Sequence, residues 1–551
     1  MPENDSSFDF ESDILVIGAG AAGLPAAIRA RDGGSTVIVV EANFDVGGHA
    51  ILSGGHLALG GGTQAQTKHG IKDSPDLLFN DLIDWSVVQA NGMPSYRYND
   101  RDIVRAFADN NVATYNFLLS NGVEFITEPP NKTGGIDVGQ SAPRENHVTY
   151  TGGATRDNYS PAGSKGTAFI RPLEASARKK GVKFLLNYHM DSLIEELDVV
   201  RGVRAHHSPI FLPGQKTPLK SCATLGNIDC TKESVALGAR RAVILATGGH
   251  SSNVNFCRMF DPRLTEEYQV AGEPYSYQDA SGEIAGMKIG ASLWGTMGET
   301  VETGVHIAKP GRIGTKYGYG NLRWPSDALI FPLVRAAGLE VMDYQNIILV
   351  NFAGRRFYDE TKGQYASSNY NSVPGYIQTS WLNAENMVWA PQNYLNAAMQ
   401  YAGRNGDTLN GGGPIWAIFD LESVKREGWN LGAPNTDPEF FYEANTLEEL
   451  ASKVNKNKYQ KVPMDGRALL ATVQRYNSFV DRGEDQDFRK PKPNFKIDQP
   501  PFYAAFASPV IHDSRCGLRI NQNCHVLDLN GNPIKGLYCA GESAGGFGEH
   551  G

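Results

Sequence analysis

The sequence predicts an α/β fold in which a parallel sheet carries helices on both faces and a second, α+β unit is inserted. Two observations lead to this prediction. Short apolar runs alternate with amphipathic helical patterns between residues 8 and 277, as in parallel sheets. From residue 278 to residue 500 glycine- and aromatic-rich loops take over, followed by polar helical stretches. A chain of 551 residues is also too long for one ordinary core, so we expect at least two domains.

The first apolar run leads directly into a glycine-rich turn. DILVI (residues 13–17) indicates a strand, LPAAIRARDGG after the turn reads as a helix, and STVIVVEA gives a second strand that closes on Glu41. Here Gly18 permits a tight turn, Gly20 lets the backbone approach a pyrophosphate, and Gly23 lets helix and strand pack closely. Glu41 can accept both ribose hydroxyls. The pattern predicts a dinucleotide site formed by Gly18, Ala19, Gly20, Ala21, Ala22, Gly23, Glu41 and Ala42.

Composition and charge argue against several other classes of protein. The formal net charge is −9 and no Lys/Arg block forms a stripe, so we expect no nucleic-acid partner. No apolar run approaches the ~20 residues that cross a bilayer, so we expect no transmembrane segment. The acidic start MPENDSSFDFESD lacks the apolar core of a signal peptide, so we expect a cytoplasmic location. The six cysteines form no CxxC pair, and we predict no metal site.

Five stretches together resemble one flavoprotein superfamily. They are VIGAGAAG with Glu41, GGHAILSGG (residues 47–55), ILATGG (residues 244–249), NFAGRRFYDE (residues 351–360) and GLYCAGESAGG (residues 536–546). The superfamily contains the FAD-dependent fumarate reductases, succinate dehydrogenase flavoprotein subunits and 3-ketosteroid dehydrogenases. The resemblance implies a Rossmann-like FAD-binding domain made of residues 8–277 and a return segment, 501–551. An α+β substrate (cap) domain, residues 278–500, is expected between them.

The same resemblance adds cofactor residues. A second glycine patch after the acidic residue lets N–H groups reach a second phosphate or the flavin ring, so FAD is favoured over NAD. His49 is expected to pack beside the isoalloxazine, with its attachment to the flavin left open, and Glu542 to lie near the ribityl chain. Disulfide reductases share the opening motif but are excluded, because residues 49–63 contain no cysteine. The added FAD-binding residues are Gly47, Gly48, His49, Ser53, Gly54, Gly55, Ala246, Thr247, Gly248, Gly541 and Glu542.

Residues that bind dicarboxylates in the fumarate reductases are missing where the resemblance places them. The proton-donating arginine of that family falls on Gln364, and glutamine cannot protonate a carbanion. The family's His-Pro-Thr segment is replaced by WGTMGETVETG. Dicarboxylate reduction is therefore disfavoured.

Tyrosines in this part of the sequence favour a neutral cyclic ketone as the substrate. In the ketosteroid dehydrogenases a phenolate abstracts the proton next to the carbonyl while hydride goes to flavin N5. The resemblance gives that role to Tyr365, with Tyr503 as second choice and core packing as the alternative for each. His512 is expected to donate a hydrogen bond to the carbonyl. His550 matches a histidine of the family's C-terminal segment, which we expect to continue beyond Gly551.

These residues predict an FAD-dependent oxidoreductase that acts on CH–CH bonds next to a carbonyl. Dehydrogenation of a cyclic, steroid-like ketone is the leading hypothesis. One alternative is a soluble, fumarate-reductase-like enoate reductase, and another is a flavin-binding subunit without catalytic activity. The expected partners are a small-molecule substrate and an electron acceptor or donor of unknown identity.

Overall fold

The computed structural model describes residues 8–83, 99–131, 141–149, 166–260, 269–270, 276–294, 299–300, 312–316, 330, 333, 338–357, 359–361, 381–383, 388–390, 413–508, 510–511, 513–514 and 516–547. The α-helices in these ranges are Gly23–Asp32, Gln64–Lys68, Pro75–Leu82, Arg101–Ser120, Gly166–Lys179, Val254–Cys257, Ser281–Lys288, Leu421–Glu427, Leu447–Val454 and Gly466–Arg482. Short 3-10 helices cover Gly48–Leu52, Tyr344–Asn346 and Gly541–Ser543. None of the helices in these ranges has both the length and the apolar character needed to cross a membrane.

An eight-stranded sheet organises the larger part of the molecule. Strand Phe10–Ile17 pairs in parallel with Val37–Glu41 on one side and with Ser234–Leu245 on the other. Lys183–Leu186 and Pro533–Cys539 continue the parallel sheet at either side. The remaining strands pair antiparallel and are Tyr188–Glu196, Val199–His207 and His525–Leu527. The parallel centre of this sheet confirms the predicted α/β class.

Two apolar clusters cover the two faces of the large sheet. Because successive side chains of a strand point to opposite faces, Val39 joins one cluster and its neighbour Val40 joins the other. Helices Gly23–Asp32 and Gly166–Lys179 pack on the first face. Helix Ser281–Lys288 contributes Ala285 to the second face. This helix follows the predicted domain boundary at residues 277–278, which stays a prediction.

Residues 338–361 and 413–508 contain a second unit built on an antiparallel sheet. Its four strands lie in the order Ile348–Val350, Trp416–Asp420, Phe502–Phe506 and Phe441–Ala444. Helices Leu447–Val454 and Gly466–Arg482 cover one face of it with apolar side chains. The separate sheet and helices are those of an α+β unit, as predicted.

A buried ion network holds the NFAGRRFYDE stretch in this second unit. Arg356 donates from Nε and Nη2 to the two carboxylate oxygens of Glu360, each at 2.8 Å, and its Nη1 lies 2.7 Å from Asp485 Oδ2. The Lys490 ammonium lies 3.2 Å from Glu360 Oε2 and donates to two backbone carbonyls. Burial alone raises the pKa of Glu360, but the charges of Arg356 and Lys490 outweigh it and hold the pKa at about 2.

Small sheets complete the described part of the chain. One contains His56–Ala58, Glu145–Thr149 and Glu124–Phe125, all antiparallel. A second contains Leu293–Trp294, Gly517–Arg519 and Ala544–Gly545. Short strand pairs are formed by Gln269–Val270 with Val510–Ile511, Glu299–Thr300 with Asp513–Ser514, Arg312–Ile313 with Leu339–Glu340, and Trp381–Asn383 with Val388–Ala390.

Candidate functional site

A cleft opens at the carboxyl ends of the parallel strands. Its walls include Ile17 and Glu41, which end two neighbouring strands, and Ala246 and Ala540, which follow two others. Ligands of open parallel sheets bind at this edge. The sequence-predicted residues that line the cleft are Gly18, Ala19, Gly20, Ala21, Ala22, Glu41, Ala42, Gly48, His49, Ala246, Thr247, Gly248, Gly541 and Glu542.

The glycines of the first turn have three different surroundings. Gly18 has a φ of +101°, and a Cβ built on it would lie 2.2 Å from the Ala246 carbonyl oxygen. A Cβ on Gly23 would lie 1.9 Å from the Gly18 carbonyl oxygen, so only glycine lets the helix start this close to the strand. A Cβ on Gly20 would meet no protein atom closer than 3.8 Å. Gly20 therefore leaves open space for a ligand to approach its backbone.

The helix Gly23–Asp32 begins at the floor of the cleft. Ala21 and Ala22, which precede it, line the cleft, and its N-cap makes no side-chain hydrogen bond. The first N–H groups of a helix have no partner within the helix and carry the positive end of its dipole. This arrangement suits a phosphate group.

Glu41 is positioned by the backbone around it. It is 8% exposed, its Oε2 accepts a hydrogen bond from Ala19 N at 2.7 Å, and its Oε1 accepts one from Asn43 N at 2.9 Å. Burial raises the pKa of Glu41. Each carboxylate oxygen has a second lone pair, so the side chain can still accept ribose hydroxyls.

A polar chain joins the return segment to the turn after strand Ser234–Leu245. Glu542 Oε1 accepts from Ser514 N at 2.8 Å, and Oε2 accepts from Gln278 Nε2 at 2.8 Å. Ser251 Oγ in turn donates to Gln278 Oε1 at 2.5 Å. A Cβ on Gly249 would lie 1.7 Å from Ser514 Oγ, and Gly248 has a φ of +82°, so both positions at the end of the ILATGG stretch favour glycine. The network fixes the Glu542 carboxylate at the cleft.

The sequence analysis missed the aromatic and ionisable side of the cleft. Tyr188, His189, Tyr277 and Asp279 line it. His189 Nε2 lies 2.6 Å from Asp279 Oδ2, and this hydrogen bond raises the pKa of His189. The buried Nδ1 of His189 has no hydrogen-bond partner in the part of the chain that the structure describes. One signal could have found His189, because it follows the carboxyl end of parallel strand Lys183–Leu186.

Five predicted cofactor residues lie outside the cleft lining. Gly47 donates from its backbone N to the Ala19 carbonyl at 3.0 Å and so supports the turn, and Ser53 Oγ accepts from Gly55 N at 3.2 Å beside strand His56–Ala58. The five residues are Gly23, Gly47, Ser53, Gly54 and Gly55. Direct contacts between them and the cofactor stay a prediction.

Of the predicted catalytic residues, the structure describes only Tyr503. Its side chain is buried in strand Phe502–Phe506, stacked on Phe419 with ring centroids 5.3 Å apart and packed at 5.7 Å from Phe441. Burial raises the pKa of Tyr503, which disfavours a phenolate. These are the contacts of a core residue. Tyr365, His512 and His550, as well as Gln364, lie outside the described residues.

Comparison with known proteins gives the family. Residues 13–550 match the model of the FAD binding domain family, so the chain belongs to this family. It is 25% identical over 543 residues to the "Probable fumarate reductase Ifc3" of Shewanella frigidimarina, covering 97% of this chain and 70% of that protein. It is 26% identical over 544 residues to the vinyl phenol reductase of Lactiplantibacillus plantarum, covering 97% of this chain and 90% of that protein.

A solved structure shows the same fold. The open conformation of a flavocytochrome c3 fumarate reductase superposes with a TM-score of 0.54 at 22% identity, over 98% of this chain and 74% of that chain. The predicted superfamily is thereby confirmed.

The cofactor is FAD, and the chain is an FAD-dependent oxidoreductase. The cleft fits this cofactor, because Gly20 leaves room at its backbone, the helix start suits the pyrophosphate, and Glu41 suits the ribose. Bound flavin accepts or donates a hydride at N5.

Proposed function

We propose that this flavoprotein reduces a carbon–carbon double bond conjugated to one activating group, such as a carboxylate or a phenol ring. Bound, reduced FAD would supply a hydride, and a proton would complete the product, so the alkene would gain the two electrons that the flavin loses. The observation that carries the proposal is the match to a vinyl phenol reductase along 97% of the chain and to an acrylate reductase flavoprotein subunit along 99% of it. The flavin requires reduction by an electron donor before each turnover.

The position of Tyr503 supports reduction rather than ketone dehydrogenation. A dehydrogenase of the predicted kind needs a phenolate within reach of the carbon next to the carbonyl. Tyr503 is 3% exposed and packs between aromatic rings of the second sheet, and burial raises its pKa. One of the two tyrosines on which the dehydrogenation hypothesis rests therefore has the surroundings of a core residue.

The residue types at the predicted substrate site favour a substrate with one activating group over a substrate with two. Fumarate carries two carboxylates, which call for a cluster of positive side chains. Gln364 stands where the resemblance places the proton-donating arginine, and the His-Pro-Thr segment is absent from the sequence. We therefore expect acrylate or a vinyl phenol to be reduced faster than fumarate.

The experiment is an anaerobic titration of the FAD-loaded chain with two panels. The photoreduced protein is mixed with acrylate, 4-vinylphenol, cyclohexenone and fumarate, and the oxidised protein with saturated cyclic ketones. Recovery of the oxidised flavin band by one equivalent of acrylate or 4-vinylphenol supports the proposal. Free reduced FAD at the same concentration is the control for reaction without the protein.

Two other results would overturn the proposal. Bleaching of the oxidised flavin by a saturated ketone would establish dehydrogenation instead. Absence of a response to both panels, from protein that holds FAD stoichiometrically, would favour a flavin-binding subunit without this activity.

A further inference from the structure

We propose that His56, Glu145 and His147 form a binding site for one divalent metal ion of the zinc class. The three side chains lie on one face of a small antiparallel sheet, apart from the residues that line the FAD cleft. His56 of strand His56–Ala58 stands directly opposite His147 of strand Glu145–Thr149. Glu145 precedes His147 by two positions and so projects to the same face. The strand register thus places two imidazoles and one carboxylate together.

The distances within this His-Glu-His cluster are those of ligands around one ion. His56 Nδ1 lies 3.2 Å and His147 Nε2 lies 3.0 Å from the same oxygen, Glu145 Oε1. All the ligand atoms lie within 4.8 Å of one another. Ligands bonded to a tetrahedral zinc at about 2.0 Å stand roughly 3.3 Å apart. The ion would replace the contacts that His147 Nε2 now makes with Glu145 Oε1 and, at 3.2 Å, with Asn131 Nδ2.

The donor set selects the class of metal. Two imidazoles and one carboxylate suit zinc and neighbouring transition metals, whereas calcium and magnesium take oxygen ligands. Glu145 and His147 have side chains that are 8% and 16% exposed, so a cation here offsets the cost of removing a carboxylate from water. The His56 side chain is 54% exposed, which leaves a coordination position open to water.

A second cluster of the same residue types has a different geometry. His206 Nδ1 lies 2.6 Å from Asp191 Oδ1, a shorter contact than either of the contacts to Glu145 Oε1 in the first cluster. Its third member, His189, is already hydrogen-bonded to Asp279 at 2.6 Å. The side chains of His206 and Asp191 are 47% and 45% exposed. This second cluster serves as an internal comparison for the first.

The sequence analysis predicts no metal site because it considered cysteine spacing. His56 and Glu145 are far apart in the sequence, and only the pairing of their two strands brings them together.

The test uses the tag-free full chain loaded with FAD, because a polyhistidine tag itself binds zinc. After treatment with a chelator, the protein is titrated with Zn²⁺ in competition with a chromophoric chelator. We expect one Zn²⁺ per chain. His56→Ala and Glu145→Gln should each weaken Zn²⁺ binding by at least about tenfold. Losses of about tenfold to 100-fold occur even when only the hydrogen-bond partners of metal ligands are changed.

Matched variants of the second cluster serve as controls. His206→Ala and Asp191→Asn should leave Zn²⁺ binding unchanged, and the flavin absorbance and thermal midpoint of every variant report folding. His56 is the most informative position, because its exposed side chain can be removed without disturbing a core. The proposal is wrong if no Zn²⁺ binds at one equivalent, if His56→Ala binds it as tightly as the parent chain, or if His206→Ala abolishes binding.

Discussion

Two of the family-defining stretches perform different tasks in this molecule. The VIGAGAAG stretch lines the cleft, where its backbone faces the FAD site. The NFAGRRFYDE stretch instead contributes Arg356 and Glu360 to a fully buried ion network with Asp485 and Lys490. A motif can therefore identify a family through the packing of its own domain as well as through contact with a ligand. A residue that belongs to such a motif is therefore not necessarily part of a ligand site.

The largest effect is expected at the glycine turn. In Gly23→Val the new Cβ would stand 1.9 Å from the Gly18 carbonyl oxygen, a backbone atom that cannot move aside. We expect a loss of more than about 5 kcal/mol in the free energy of unfolding, and no folded flavoprotein. Gly33→Ala is the control, because its Cβ has no contact closer than 3.5 Å. Circular dichroism and flavin content measure both variants, and a folded, FAD-loaded Gly23→Val would contradict the packing role of Gly23.

The ion network is expected to give the next largest effect, on stability. The pKa of Glu360 is held at about 2, below its ordinary 4.5, so its contribution is present above about pH 4.5 and lost as the pH falls toward 2. Glu360→Gln should lower the free energy of unfolding by roughly 3 kcal/mol at about pH 7 and by less at about pH 3.5. Urea unfolding at the two pH values measures this.

A network with a catalytic task would behave differently. Suppose that Glu360→Gln left the free energy of unfolding unchanged at about pH 7 but abolished flavin reoxidation by substrate. The NFAGRRFYDE stretch would then serve the catalytic site, as the VIGAGAAG stretch serves the FAD site, and not the packing of its own domain.

On the cofactor side, a smaller effect is expected at the cleft wall. His189→Gln removes a cleft-lining ring whose Nε2 is held by Asp279 and whose buried Nδ1, without a partner among the described residues, we expect to bond FAD. Loss of one such hydrogen bond costs about 1–2 kcal/mol, so FAD should bind about five- to 30-fold more weakly. Fluorescence titration of the apoprotein with FAD measures the dissociation constant. His206→Ala, on the neighbouring strand, is the matched control. Equal FAD affinities of the parent chain and the two variants would show that His189 does not contribute to FAD binding.

The smallest effect is expected at Tyr503. Its ring packs against Phe419 and Phe441, so Tyr503→Phe keeps the packing and should change the rate of flavin reoxidation less than about twofold. A general base or acid contributes about 100-fold or more. A loss of that size, with the thermal midpoint unchanged, would restore Tyr503 as a catalytic residue.

FAD could be predicted as the cofactor because the motif that indicates it is local in the sequence. A strand, a glycine turn, a helix and Glu41 follow one another within about 30 residues, and Gly23 is required by a contact inside that unit. Gly18 is instead required by its contact with Ala246, which follows a third strand. The turns at Ala246 and Gly541 join this edge through the pairing of parallel strands. The fold class follows from the same alternation of strands and helices.

The missed residues depend on contacts between distant parts of the chain. His189 meets Asp279, and Gln278 meets Glu542, only after the large sheet has formed. Tyr503 lies on the apolar strand Phe502–Phe506, and only the second sheet shows that its ring is enclosed. Periodicity indicates which side chains are buried, but not which partner they meet.

The most direct test of the proposed function is a single-turnover measurement. Reduced, FAD-loaded protein is mixed anaerobically with increasing acrylate or 4-vinylphenol, and the return of the oxidised flavin band is followed in a stopped-flow instrument. The proposal predicts a rate that saturates with alkene concentration, exceeds that of free reduced FAD, and yields one saturated product per flavin. A rate equal to that of free FAD, or reduction of the oxidised protein by a saturated cyclic ketone, would contradict it.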